Sequence, residues 1–351
     1  VRFSKLASND VGWMSAADGE NSCVISTRIR LARNLKKYPF PAVCDENTLR
    51  KIRREIFAAC KEGNILKNAE MIKLEECDSV DRQLLLERHH ISHEHAHSSD
   101  YGGLVLGDRE MIGIMINEED HLRIQYISGG LSLLEAWDII SKLDDELSKS
   151  LDFAYSDKWG YLTACPTNTG TGIRASCQLH LPALGMTGGI KGTMENINKM
   201  GMVVRGLYGE GTKVMGNMVQ ISNQVTLGIT EERIIDNLKR LVTQVIDREK
   251  RARETVIQSE SETLKDVVYR SWGLLTNAYK MSFEEALDLL SNIRFGIYSG
   301  IMKEINMGFL NNLMIKIQPA HLQESRGREM KPEKRDIVRA DLIRDFLKGK
   351  I

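Results

Sequence analysis

No CxxC pair occurs among the six cysteines, Cys23, Cys44, Cys60, Cys77, Cys165 and Cys177. That argues against a zinc site or a disulfide framework and for a reducing, cytoplasmic setting. Net charge is also lacking, since 48 Lys and Arg balance 48 Asp and Glu. Bulk electrostatics therefore give no reason to expect nucleic acid or an acidic membrane as partner. No apolar run approaches the length of a membrane span, and the first residues lack a signal peptide's apolar core. Neither a GxxxxGK[ST] P-loop nor an HRD and DFG pair is present, which removes two large groups of nucleotide-using enzymes. Internal repeats and low-complexity tracts are missing too. What remains is a 351-residue chain, 42% hydrophobic and 27% charged. That is an ordinary globular composition, long enough for two domains or one large one.

The densest chemistry lies at 161–176, YLTACPTNTGTGIRAS. An apolar run ends on Cys165, and Pro166 stops the strand by removing a ladder donor. Asn168, Gly170 and Gly172 then make a loop whose backbone can approach a ligand, with Arg174 at the start of the next apolar segment. Two readings stand for it: a Gly-rich turn beside a small buried thiol, or a site for an anion. The same choice recurs earlier, at 26–34 (STRIRLARN). Ile29 and Leu31 share one strand face there, and Arg28 and Arg30 share the other. Paired arginines suit a solvated face or a phosphate held by planar forks.

Around these stretches the order of elements is α+β. Residues 1–20 read as a loose lead-in anchored by Trp13 and Met14, and 46–65 as an amphipathic helix. A meander of strands covers 101–128, and a helix 131–151. Strands follow over Ala175–Leu184, near 201–206 and from Met218, with a helix over Ile190–Met200 between the first two. Thr230 caps a long helix to about Ile257, since its hydroxyl can accept a first-turn N–H. Beyond it the pattern is helical throughout: Leu264–Leu275, Ser282–Ile293, Asn306–Leu313 and a last segment from Pro332. In that segment Ile337, Ala340, Leu342 and Ile343 make a buried face, with Arg335 and Arg339 one turn apart on the other side. Five of the eight histidines fall at 89–97. Their spacing is loop-like, and no accompanying Cys or carboxylate constellation points to a metal.

Between two strands of the meander sits Asn117-Glu118-Glu119-Asp120, poor hairpin chemistry because three carboxylates repel. It is either an exposed acidic turn or a loop holding a catalytic base. Five strand-borne arginines, Arg28, Arg30, Arg123, Arg174 and Arg205, lie beside Gly-rich or acidic loops. Burying so many like charges is prohibitive without a polyanion, and a nucleoside triphosphate with Mg2+ meets that need.

STRIRLARN (26–34), NEEDHLRI (117–124), CPTNTGTGIRAS (165–176) and RGLYGEGT with ISNQ (205–224) together resemble the phosphagen (guanidino) kinase family, and within it the bacterial protein-arginine kinases. The resemblance implies a catalytic domain over 1–257, a mixed, largely antiparallel sheet flanked by helices, and an all-α C-terminal domain over 258–351. It assigns Arg28, Arg30, Arg123, Arg174 and Arg205 to the ATP phosphates and His89 to the adenine. Glu119 becomes the base, Glu210 a second carboxylate on the guanidinium, and Cys165 the thiol beside the substrate nitrogen. Gln178 stands where family members often carry His. STRIRLARN begins at residue 26, so the N-terminal helical domain of kinases for free guanidines is expected to be absent. RDIVRA (335–340) is similar to an RDxxRA element that binds phosphoarginine, through Arg335, Asp336, Arg339 and Ala340. The implied activity is ATP- and Mg2+-dependent phosphorylation of protein arginines, marking proteins for a Clp protease and controlling stress-response regulators. The implied partners are arginine-bearing proteins, a second copy in a homodimer and a zinc-binding activator. A kinase for a small guanidine and a weakly active phosphoarginine adaptor are the alternatives.

Overall fold

The computed structural model describes residues 3–15, 23–98, 101–206, 215–303, 305–327 and 329–348. The first half supplies helices α1 (Phe3–Ser8), α2 (Gly12–Ser15), α3 (Glu46–Glu62), α4 (Ser79–Glu87), α5 (His93–Ser98) and α6 (Leu133–Ser148). Interleaved with them are strands β1 (Val24–Arg33), β2 (Glu70–Lys73), β3 (Gly103–Leu106), β4 (Ile112–Ile116) and β5 (Leu122–Gly129). The small hairpin β6 (Tyr155–Ser156) and β7 (Gly160–Tyr161) leads to β8 (Ile173–His180), α7 (Pro182–Met186), α8 (Ile190–Lys199), β9 (Met202–Arg205) and β10 (Met218–Asn223). Thereafter all is helix: α9 (Glu231–Ser259), α10 (Ser261–Asn277), α11 (Phe283–Tyr298), α12 (Met307–Lys316), α13 (Pro319–Arg326) and α14 (Pro332–Lys348).

Eight strands form one sheet in the order β2-β3-β4-β5-β1-β8-β10-β9. Every pairing in it is antiparallel, where the sequence had allowed a mixed sheet. Period-two patterning sorts its faces. Ile29 and Leu31 are fully buried in a core shared with Ile140 and Leu143 of α6 and Leu238 and Val242 of α9, while Arg28 and Arg30 point the other way. Arg33 is the exception on the core side. It is buried against Asp144 (2.7 Å), stacks 3.5 Å over the Tyr161 ring, and donates to the Ala32 and Thr171 carbonyls. With its charge paired and its donors used, burial is tolerable.

A second core gathers α10, α11, α12 and α14 with Val256 of α9. It also takes in Val11, Trp13 and Met14, so the lead-in is anchored as its two hydrophobes suggested, but as short helices. Asn312 Oδ1 accepts from the Val11 N–H, and Asn311 Nδ2 donates to the Met14 carbonyl.

Three local expectations are revised. The strand approaching Cys165 is only Gly160–Tyr161, because the Thr163 hydroxyl donates to the Cys165 carbonyl (2.7 Å) and folds the chain into a turn. β8 stops at His180, and Pro182 starts α7 where strand had been expected to Leu184. In α14 the buried stripe is Val338, Arg339, Ala340, Ile343 and Leu347, so Arg339, 2% exposed, lies on the inner side and not opposite it. Its guanidinium donates to Asp336, to the Met281 carbonyl (3.0 Å) and to the Ile317 carbonyl (2.9 Å) that ends α12. A cation at a helix C-terminus is favoured by the dipole, which outweighs the apolar patterning at this position.

Candidate active site

Strand register gathers the arginines. Arg30 lies directly opposite Arg174, Arg28 opposite Ser176, and Gln125 opposite Arg30, with Arg123 two residues along the same face. Arg205 joins from the edge strand, opposite Gln220, which in turn faces Gln178. Opposed like charges destabilise a sheet, so this face is costly for the fold. Burial, with Arg123, Arg205 and Arg174 adding repulsion, pushes the Arg28 guanidinium down to about 10. Burial and then Arg28, Arg123 and Arg174 also push Arg30 well down, and its buried Nε has no hydrogen-bond partner among the described residues.

Two cavities open on this wall. One, of about 250 Å³, is lined by Arg28, Arg30, Arg123, Arg205, His89 and Gln178 among others. The second, of about 470 Å³, is lined by Arg30, Arg123, Arg174, Arg205, Glu119 and Cys165 among others. Arg30, Arg123, Arg205 and Glu94 line both, so they are two ends of one cleft.

At the first end His89 has φ +62, a left-handed conformation uncommon outside glycine. Its carbonyl accepts from Gln125 Nε2 (2.8 Å), and its ring lies 5.5 Å from Trp13. Burial, then the Arg28 charge, pushes this imidazole down to about 3, so it is neutral at physiological pH. Three of the other histidines of 89–97 are spent on structure, His90 on Glu110, His95 on the Ile116 carbonyl and His97 on the His93 carbonyl, whereas His93 lines the first cavity.

At the second end the three acids of the 117–120 loop divide their work. Both oxygens of Glu118 take Arg123 Nη1 at 2.6 Å. Burial pushes this carboxyl up, but Arg123 and the Ser92 hydroxyl outweigh it and hold it below the usual range. Asp120 is buried and accepts from Asn34 Nδ2 (2.6 Å) and the Ala164 N–H (2.7 Å), while Asn34 Oδ1 takes the His121 N–H. One side-chain pair thus fastens β1, the acidic loop and the segment before Cys165 together. Of the three, Glu119 alone stands exposed, in the cavity that Cys165 also lines. Burial, then Asp120, raises its pKa. Such a carboxylate is suited to accepting a proton.

Eight of the residues singled out in the sequence therefore share one cleft: Arg28, Arg30, Arg123, Arg174, Arg205, His89, Glu119 and Cys165. Glu210 lies outside the described residues. Arg335, Asp336, Arg339 and Ala340 line neither cavity; they sit on α14, where half-buried Arg335 donates to the Met330 carbonyl. Reading the sequence missed Asn34, Ser92, Glu118, Gln125 and Asp120 as parts of the site. Only the acids carried a signal, in the unexplained crowding of the loop.

The chain matches the family description "ATP:guanido phosphotransferase, C-terminal catalytic domain" over residues 51–252 and "Protein-arginine kinase McsB C-terminal domain" over 261–350. A protein-arginine kinase of Halothermothrix orenii is 47% identical over 336 residues, 95% of this chain and 96% of the relative. One from a Geobacillus species is 44% identical over 351 residues, 99% of this chain and 97% of the relative. The chain belongs to the protein-arginine kinases of the ATP:guanido phosphotransferase family. Among solved structures, the duplicated taurocyamine kinase from Schistosoma mansoni with bound transition state analog components superposes with a TM-score of 0.58 at 27% identity, over 65% of this chain and 33% of that one.

In this ATP:guanido phosphotransferase the cysteines differ in their surroundings. Burial pushes Cys23, Cys60 and Cys177 up to about 12, Cys77 to about 11, and raises Cys44. Cys165 is partly exposed in the cleft, 3.0 Å from the Thr167 hydroxyl. Reactivity follows thiolate access, so iodoacetamide should label Cys165 first. Mass mapping that finds Cys44 or Cys77 modified before it would contradict this.

Proposed function

We propose that the chain transfers the γ-phosphoryl group of ATP to arginine side chains of proteins. The observation that carries this reading is the arginine wall opening directly onto Glu119 and Cys165 in one cleft. Arg28, Arg30, Arg123, Arg174 and Arg205 hold the triphosphate, and His89 borders the base. The donor set fits a polyanion, and a phosphate-bound magnesium that keeps water ligands needs no protein cage. Bound magnesium supplies charge neutralisation across the phosphates.

The target guanidinium enters beside Glu119, with Glu210 as a second carboxylate by resemblance. Held in line with the γ-phosphorus, its nitrogen forms the N–P bond as the bond from phosphorus to the β-bridging oxygen breaks, releasing ADP. The proton leaves for Glu119 as the bond forms. A guanidinium with a pKa above about 12 is no nucleophile otherwise. Cys165, which lines the same cavity, helps orient it.

The test is incubation with ATP and an unfolded arginine-rich protein, with acid-labile phosphate mapped by mass spectrometry. Phosphate should sit on the arginines of the protein, and transfer to free arginine supplied in its place would indicate a small-guanidine kinase. Absence of any transfer would favour a binding adaptor. Glu119→Gln should lower the rate by about 10²–10⁴-fold and leave ATP affinity nearly intact. Because the base acts deprotonated and its pKa is raised, wild-type rate should fall as pH drops through a value above 4.5. An acid limb unaffected by this substitution would remove Glu119 from the role.

The resemblance extends the proposal to a catalytic unit over 1–257 and a regulatory helical unit over 258–351, acting in the cytoplasm as a homodimer. A zinc-binding activator and delivery to a Clp protease belong to it as well. Degradation of a phosphorylated but not an unphosphorylated protein by purified Clp protease tests the last point. We further place phosphoarginine at RDIVRA, where it stimulates the kinase. Arg335 is the accessible arm, whereas Arg339 is already bonded to Asp336 and two carbonyls. Arg335→Ala should abolish stimulation by added phosphoarginine at unchanged unfolding midpoint, while Arg339→Ala should also lower the midpoint. An undiminished response in Arg335→Ala would refute the site.

A further inference from the structure

A buried polar chain runs from the first end of the cleft into the C-terminal helices. Glu87, the last residue of α4 and 2% exposed, turns its carboxylate away from the cleft and into the start of α13. It accepts from the N–H groups of Ala320 (2.8 Å) and His321 (3.2 Å) and from His321 Nδ1 (2.9 Å). Gln318, the residue before α13, makes no side-chain cap bond, so Glu87 does that work from across the molecule. Arg88 comes next in sequence. Its Nε donates to Glu110 Oε2 at 2.7 Å and its Nη2 to Glu110 Oε1 at 2.5 Å, and its Nη1 lies 3.2 Å from His321 Nε2.

That last contact fixes the imidazole. A guanidinium can only donate, so His321 Nε2 is bare and accepts, while Nδ1 carries the proton towards Glu87. His321 is therefore neutral and bridges Glu87 to Arg88. On the far side of His89, His90 Nε2 donates to Glu110 (2.7 Å). His89 is thus held in its left-handed conformation by neighbours that share one carboxylate, and one of those neighbours is braced by His321. Backbone strain of this kind persists only where surrounding contacts over-determine it.

We propose that His321 is a positioning residue for the nucleotide. It is the contact through which the C-terminal helices set the geometry of His89, and with it the affinity for the base end of ATP. The proposal rests on the reading of the arginine-lined cavity as the nucleotide site. It also gives α14 a mechanical route to that site. Arg339 Nε holds the Ile317 carbonyl, and the adjacent Gln318 donates Nε2–H to the Glu87 carbonyl.

Two substitutions separate the limbs of the bridge. In His321→Asn the amide nitrogen stands near Nδ1, so it keeps Glu87 and the α13 cap but cannot reach Arg88. In His321→Gln the longer side chain brings a carbonyl oxygen near Nε2, where it can accept from Arg88. The experiment measures the Kd of fluorescent N-methylanthraniloyl-ADP on the full chain for wild type, both variants and Arg28→Ala, with ATP KM, kcat and unfolding midpoint beside it. His321→Asn should weaken nucleotide binding and raise ATP KM about tenfold, the scale of one hydrogen bond to a charged group. Its kcat should stay within about twofold, because ground and transition states lose the same contact. His321→Gln should bind within about twofold of wild type. Equal Kd values for the Asn and Gln variants, whether both normal or both weak, overturn the proposal. Arg28→Ala reports on the nucleotide site itself: intact binding there condemns the site, and lost binding there with a normal His321→Asn condemns only the bridge.

Discussion

Like-charge repulsion is the constraint on which the architecture turns. Arg30 and Arg174 face each other across β1 and β8, and Arg28 and Arg123 crowd the same face. Their guanidinium groups are partly desolvated, and Arg28 and Arg30 are pushed down by burial and by neighbouring arginines. Such an arrangement holds only because the opposite face of the sheet is secured by a large apolar core and by the fully satisfied Arg33–Asp144 pair. The strain lies where the proposed function puts a triphosphate, a pattern expected of binding sites and costly anywhere else.

The loops beside the wall show the complementary device. Each acid of 117–120 faces a different environment. Glu118 neutralises Arg123, Asp120 fastens the loop to Asn34 and the Ala164 N–H, and Glu119 is left exposed in the cavity with its pKa raised. Identical chemistry in sequence becomes three roles because burial and partners differ at each position.

Much of this was legible in the chain. Alternation of Arg28 and Arg30 with Ile29 and Leu31 gave the face on which the cleft forms, and the crowding of Glu118, Glu119 and Asp120 announced a loop that was no ordinary hairpin turn. The capped α9 followed from Thr230 and its first-turn acids. The inner placement of Arg339 was hidden, since two of its three partners are the carbonyls of Met281 and Ile317, and a backbone carbonyl has no letter in a sequence. α13 was missed for a different reason, the distance of its cap along the chain. Its N-terminus is satisfied by Glu87, a residue more than two hundred positions away, and no local cap marks it.

The central claim is that the arginine wall destabilises the empty protein and is relieved by phosphate. Denaturant unfolding of wild type and Arg30→Met, with and without ATP, tests it most directly. The account predicts that Arg30→Met is more stable than wild type without nucleotide, by about 1–2 kcal/mol, as when a buried charge yields to an apolar group. It also predicts that ATP at about a hundred times its Kd, which should stabilise wild type by about 2.7 kcal/mol, adds far less to the variant. A variant less stable than wild type in the absence of nucleotide, yet equally stabilised by ATP, would contradict the account.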